Sequence, residues 1–384
     1  MITITDKTKC CGCSACFNIC PKQAVSMEYD GEGFLYPKVD NAKCIKCGLC
    51  LKVCPTMTAE DLKNRGLEDW KKQTANTNKV LEVYGAKNKN VDEQLKSSSG
   101  GMFSIFANFV LEQNGIVFGA SFDSNWKVVH KYIDKKENLD DLRRSKYVQS
   151  DINITYKQAK QFLDDNKLVL FTGTPCQIAG LKSFLQKDYD NLIAIDIICH
   201  GVPSPKVWGK FLKENFNLKQ KKINTIADTY FDSYTQIKWI NFRNKKFGWD
   251  TFFDSYTQKF IELIKIKKIR NMLISYYLHS YFLKGFLANL FLRPSCHKCV
   301  FKDNVKSDFT LGDLWGINKI LPRMYDNKGV SVLTINSQKA KEIFEKVKNN
   351  IEYEKINYDD MVKYNPAFVS SVKPHPNREE FFKR

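Results

Sequence analysis

The sequence predicts a chain in two parts, a small α+β module at the N terminus and a mixed α/β domain built around a βαβ unit. Three observations carry this expectation. Two runs of four cysteines, each closed by a proline, lie within residues 1–57 of a 384-residue chain. An apolar strand, a helix and a second apolar strand follow one another between Lys167 and Phe216. Between the two parts runs a polar stretch rich in Lys and Asn. The expected division is therefore a module at 1–57, a linker at 58–79 and a second domain over 80–384. A composition of 43% hydrophobic and 13% aromatic residues is ample for packed cores.

The cysteine runs read Cys10-x-x-Cys13-x-x-Cys16-x-x-x-Cys20-Pro21 and Cys44-x-x-Cys47-x-x-Cys50-x-x-x-Cys54-Pro55. Such spacing lets three thiolates wrap one iron–sulfur cube while the fourth crosses to the other cube, so the module is expected to be a bacterial-type ferredoxin with two [4Fe-4S] clusters. Cys10, Cys13, Cys16 and Cys54 are assigned to one cluster, and Cys44, Cys47, Cys50 and Cys20 to the other. Zinc sites usually pair two Cys-x-x-Cys knuckles without a third cysteine at the same spacing, which fits less well. Cys11 falls outside the register and is read as a free thiol. Cluster ligation needs reduced thiolates, and the polar stretch Met1–Lys9 runs straight into the first ligands, so a cytoplasmic protein is expected.

Along the second part, a strand is expected at Val80–Lys87. Ser97-Ser98-Ser99-Gly100-Gly101 then opens a helix to about Asn114, and a strand covers Ile116–Phe122. In the βαβ unit, Leu168–Thr172 forms the first strand and Gly173-Thr174-Pro175-Cys176 turns into a helix ending near Gln186. Leu192–Cys199 is the second strand. Ser204 caps a further helix over Lys206–Phe216, with Pro205 at its first position. Residues 220–260 read as strands or an irregular aromatic segment, and long helices are expected over Thr257–Leu292. Within these, Met272–Leu292 is interrupted by Lys284 and Gly285, so it reads as buried or interfacial rather than as a transmembrane segment. Ser307–Gly316 reads as a turn with acidic and aromatic residues that could line a planar ligand, and a last strand and helix cover Val330–Asn350.

Beyond Cys11 and the eight paired cysteines, Cys176, Cys199, Cys296 and Cys299 remain. Two readings are open: a third [4Fe-4S] cluster, favoured because all four fall among turn-forming residues, or buried small hydrophobes with zinc or nothing at the Cys296/Cys299 pair. Ser98, Ser99, Gly100 and Gly101 offer either a phosphate cradle at a helix start or a simple serine cap. Thr172, Gly173, Thr174 and Pro175 form a second strand-to-helix turn of the same kind. His200, followed by Gly201, could hand over a proton at a reaction centre; Lys146, beside Tyr147, could neutralise a phosphate or a reduced flavin. Both residues could equally be structural or solvated.

Net charge is +18 and uneven. Residues 205–300 hold 18 Lys or Arg against six Asp or Glu, including Lys219–Lys222, Arg243–Lys246 and Lys265–Arg270. This is either a solvated basic surface or a docking face for an acidic electron carrier such as a ferredoxin or flavodoxin. No recognition fold accompanies the charge, so nucleic acid is not an expected partner.

Taken together, Ser98-Ser99-Gly100-Gly101, Ser145-Lys146-Tyr147-Val148, Phe171-Thr172-Gly173-Thr174-Pro175-Cys176-Gln177, Cys199-His200-Gly201-Val202-Pro203-Ser204-Pro205, Leu292-Arg293-Pro294-Ser295-Cys296-x-x-Cys299 and Gly312-Asp313-Leu314-Trp315-Gly316 resemble the coenzyme F(420) hydrogenase/dehydrogenase beta-subunit family over about residues 80–350. The resemblance implies FAD, held by the serine–glycine loop and the Gly173-Thr174-Pro175 turn, with Cys176, Cys199, Cys296 and Cys299 at a flavin-proximal cluster. It also implies catalysis by a flavin- and iron–sulfur-dependent oxidoreductase that takes electrons from a ferredoxin-like donor. A non-catalytic electron-transfer subunit and an F(420)-linked dehydrogenase subunit are the alternatives. Unlike many members, this chain carries its own two-cluster module. Single-chain members of that form look like bacterial proteins of surface-polysaccharide gene clusters, which implies a small-molecule or glycan-precursor substrate. The sequence leaves the oligomeric state open.

Overall fold

The computed structural model describes residues 1–63, 78–216 and 281–383, with Phe242, Lys245 and Trp249. Most of the linker expected at 58–79, the aromatic segment 220–260 apart from these three residues, and the greater part of the helices expected over Thr257–Leu292 lie outside the described residues.

In the N-terminal module, strands β1 (Val25–Tyr29) and β2 (Leu35–Val39) pair antiparallel from Val25↔Val39 to Tyr29↔Leu35. Asp30 closes the turn by accepting the N–H groups of Glu32 and Phe34 on Oδ1. Two short helices, Ala15–Ile19 and Leu49–Lys52, carry Cys16 and Cys50. Each follows the same backbone device: the residues on either side of the second cysteine of its run are left-handed, Gly12 and Ser14 around Cys13, Lys46 and Gly48 around Cys47. Ser14 and Lys46 hold this conformation against the Cβ clash that normally excludes it.

The rest of the chain is organised on one eight-stranded mixed sheet. Its strands are β3 (Glu82–Asn88), β4 (Ile116–Phe122), β5 (Val128–Ile133), β6 (Val169–Gly173), β7 (Leu192–Ile197), β8 (Phe309–Asp313), β9 (Ser331–Ile335) and β10 (Ile351–Lys355). They lie in the order β10-β3-β9-β8-β7-β6-β4-β5. The central four, β4, β6, β7 and β8, are mutually parallel and the outer pairings antiparallel. The near-continuous apolar runs of β4, β6 and β7 follow from burial on both faces. One face is covered by helices Met102–Leu111 and Gln338–Val347, with Phe106 against Phe309 at 4.5 Å. Helices Thr155–Asp164 and Pro175–Leu185 cover the other, and the module packs outside them through Cys11, Cys13, Ala15 and Val53.

Strands β4, β6 and β7 and the parallel βαβ unit lie where the sequence puts them, as does the Ser204 cap, whose Oγ accepts the Val207 N–H at 3.2 Å. The structure differs at four places. Ser307–Gly316 is not simply a turn, because its centre is β8, the strand between β7 and β9. Its sequence carries no apolar run, and its buried Thr310 is satisfied by the Thr334 and Asn336 side chains instead. β5 and β10 are further strands, so Val330–Asn350 is not the last strand and helix. Gly101, at φ +85°, caps Met102–Leu111 in place of a serine. Finally, Cys176 lies in the first turn of a helix rather than in a loop.

Candidate functional site

The carboxyl ends of β6 and β7 deliver Cys176 and Cys199 to one edge of the sheet, where ligands gather in parallel α/β structures. The segment before β8 brings Cys296 and Cys299 to the same place on the 3-10 turn Pro294–Lys298 and the residue after it. All four cysteines line one cavity of about 540 Å3, together with Cys11, Pro175, His200 and Gly201. Thr56, Thr58, Glu60 and Asp61 of the N-terminal region line it from the other side.

Its sulfur donors carry hydrogen bonds from their surroundings. The Val202 N–H donates to Cys296 Sγ at 3.4 Å, and the Thr174 hydroxyl is 3.1 Å from Cys176 Sγ. The Lys302 amine donates to the Cys199 carbonyl. Burial pushes the Cys199 thiol up to about 12, and burial followed by neighbouring thiols raises Cys296. Thiols raised in this way stay protonated at neutral pH, and metal binding would have to displace the proton.

In the module, Cys20, Cys44, Cys47 and Cys50 line a second, smaller cavity, with Cys47 exposed. Cys10, Cys13, Cys16 and Cys54 are buried. Burial raises the Cys16 thiol, reinforced by the charges of Cys54 and Cys10. The Cys13 thiol, although its hydrogen bond with Cys11 acts the other way, is raised by burial and by the charges of Cys54 and Cys16. Cys20 thus shares a cavity with the second run, and the charge of Cys54 acts on Cys13 and Cys16 of the first. Cys11 is not an isolated thiol: it is buried and hydrogen bonded to Cys13 of its own run and to Cys176 of the sheet domain. Only its neighbours in space, absent from any spacing rule, reveal this.

The residues expected around a flavin fall in two places. Pro175, His200 and Gly201 are at the cysteine cavity, where His200 Nε2 is 2.6 Å from Asn289 Oδ1 and burial lowers its pKa. Elsewhere, Ser98 Oγ accepts the Ser145 N–H at 2.9 Å, and Lys146 donates to the carbonyls of Asp141 and Arg143. Among the described residues no carboxylate pairs with Lys146, and burial lowers its pKa to about 7. A ring column links the two places, the His200 ring edge-on to Phe286 at 5.2 Å and Phe286 stacked on Tyr147 at 5.1 Å.

Both glycine turns use part of their hydrogen-bonding capacity internally. Gly100 donates to Ser331 Oγ and Ser99 to the Val330 carbonyl. The Thr174 N–H goes to Gln177 Oε1 in a capping box, and Thr172 Oγ1 donates to the Phe118 carbonyl. No side chain caps the first turn of Met102–Leu111. A buried histidine that the sequence did not single out, His130 on β5, lies between the Thr172 carbonyl and Ser150 Oγ. Burial lowers its pKa to about 4, so it is neutral at pH 7.

A ferredoxin-like module joined to a large mixed α/β sheet defines an iron–sulfur electron-transfer protein. A 4Fe-4S dicluster domain matches residues 9–58. Residues 166–360 match the family described by the C terminus of the coenzyme F420 hydrogenase/dehydrogenase beta subunit, and the chain belongs to that family. A solved structure of the F420-reducing [NiFe] hydrogenase complex from Methanosarcina barkeri, derivatised with xenon, contains a chain 15% identical to this one. That match covers 76% of this chain and 90% of the other, with a TM-score of 0.47. No curated protein matches. Among the described residues, no helix is long and apolar enough to cross a membrane.

Proposed function

We propose that this protein is an iron–sulfur flavoprotein reductase, organised as a module at 1–57, a linker at 58–79 and a flavin and iron–sulfur domain at 80–384. A low-potential carrier such as a ferredoxin or flavodoxin reduces it at the exposed Cys47 edge. The clusters would carry single electrons, and FAD would collect two and pass a hydride to a small-molecule acceptor, a glycan precursor being the class the resemblance implies.

The observation that carries this reading is the single cavity shared by Cys176, Cys199, Cys296 and Cys299, the four cysteines left by the ferredoxin pattern, with Cys11 hydrogen bonded to Cys13 and to Cys176. Those four cysteines would hold the third cluster. For FAD, support comes from Lys146, a half-buried amine with no carboxylate partner among the described residues, next to Ser145, which bonds Ser98 shortly before the helix start at Gly101. A phosphate or a reduced ring would supply the missing anion. His200 and Tyr147, joined through Phe286, would flank the ring system, with His200 placed to hold or move a proton at Nε2.

Iron and sulfide analysis of protein purified without oxygen tests the third cluster. About twelve irons per chain are expected, falling to about eight in Cys176→Ser or Cys299→Ser; eight in the unaltered protein sinks it. A flavin released on denaturation, and depleted in Lys146→Met at unchanged iron, is the matching expectation for FAD. Turnover by the isolated chain with a chemical reductant separates a reductase from a subunit that only relays electrons.

A further inference from the structure

Arg293 is fully buried, yet among the described residues none of its partners is a carboxylate. Nε donates to the Cys10 carbonyl at 2.8 Å and Nη1 to Gln149 Oε1 at 3.0 Å. Nη2 donates to the Leu35 carbonyl at 3.0 Å and to Cys10 Sγ at 3.6 Å. The guanidinium carbon lies 4.2 Å from the centre of the Tyr36 ring and 5.4 Å from that of Phe34. Gly12, at φ +69°, passes so close that a Cβ there would meet Nη1 at 2.7 Å. A guanidinium stripped of water is strongly destabilising without an anion. The groups around it that can become negative include Cys10, Tyr36, Cys11, Cys296 and Cys176.

We infer that Arg293 sets the order of potentials within the module, raising that of the cluster at Cys10, Cys13, Cys16 and Cys54 above that of its twin. This rests on the cluster ligands proposed above. Cluster potentials follow net charge, hydrogen bonds to the sulfurs and exposure to solvent. Arg293 supplies a positive charge and a donor to one ligand sulfur, in a buried setting where Coulomb interactions are strong. At the other site Ile45, Lys46 and Cys47 face solvent, and exposed lysine charges there are screened. Adding one electron adds one negative charge, which, of the two module sites, Arg293 stabilises at the inner one. The carrier gives up one electron at the Cys47 edge, and that electron comes to rest at the Cys10 site, on the side of Cys11 and Cys176. Arg293 is thus a positioning residue, acting through Cys10.

Reductive titration of the full-length protein, followed by electron paramagnetic resonance, reads both module potentials, and Cys47→Ser marks the outer signal. Arg293→Gln is expected to shift the inner midpoint to more negative potential and leave the outer one in place, while Arg293→Lys restores most of the shift. Should Arg293→Gln lose iron, Gln149→Glu keeps the arginine and sets a carboxylate against Nη1, and the same negative shift is expected. Unmoved midpoints at full iron content, or equal shifts at both sites, would overturn the inference. Failure of the underlying cluster reading would be seen separately, as a module in the unaltered protein holding fewer than about eight irons.

Discussion

A Cβ added to Gly180 would meet Cys13 Cβ at 2.7 Å and its Sγ at 2.9 Å, whereas one on Gly209 would meet nothing within 4 Å. The pair makes a controlled comparison within two helices. Gly180→Ala is expected to destabilise the protein by about 1–3 kcal/mol through overpacking and to loosen iron at the Cys13 site. Gly209→Ala should stabilise it by about 0.5–1 kcal/mol through helix propensity. Denaturant unfolding measures both, and a neutral Gly180→Ala would mean that the module is not seated on this helix. Asp196 is a second residue with a definite consequence. Burial raises its carboxyl to about 7, and its Oδ1 has no hydrogen-bond partner among the described residues. The folded protein therefore binds this proton more tightly than the unfolded chain, so stability declines as pH rises from about 4 to 7. Asp196→Asn should raise the melting temperature more at pH 8 than at pH 5; an equal gain at both values would contradict the assignment.

At the scale of elements, the helix Pro175–Leu185 shows how a cap fixes a functional residue. Gln177 Oε1 accepts both the N–H and the hydroxyl of Thr174 and Cys176 sits within the first turn, so Thr174→Ala is expected to lower stability by about 1 kcal/mol and to weaken iron retention at the proposed third site first. Stability loss with the full iron content of the parent would detach the cap from the cysteine. The same element shows what a sequence exposes. Strand β6, the Thr-Pro turn and Cys176 are legible because an apolar run, a proline and a cysteine each act locally. The two cysteine runs are legible for the same reason, their spacing being a local geometric demand. Strand β8 was not, since its buried Thr310 is made acceptable by Thr334 and Asn336, residues remote in sequence. The positions of Cys11 and Arg293 were equally hidden. Their surroundings are assembled from Gln149, Cys176 and the β1–β2 hairpin, and no pattern within one segment brings these together.

Across the whole molecule, the module is gripped at separate points. Gly180 abuts Cys13, Gln149 donates to the Cys11 carbonyl and Arg293 reaches Cys10. At the hairpin tip, Ser204 donates to the Glu32 carbonyl at 2.5 Å and Lys206 to the Gly31 carbonyl at 2.7 Å. Arg378 grips Glu32 through both terminal guanidinium nitrogens. With Cys11, Cys13, Ala15 and Val53 inside the same apolar cluster as the sheet, the module is expected to unfold together with the rest. Calorimetry should give one cooperative transition, and a separate early melt of the module would refute this.

The residues that grip the module, from Gln149 to Arg378, all follow it in the chain. On the ribosome the module's cysteines emerge before these residues, and the Cys10 carbonyl has no Arg293 to bond until residue 293 has been made. The inner cysteines are therefore open while the chain is being made and covered once it has docked, so the order of synthesis sets when that surface is accessible.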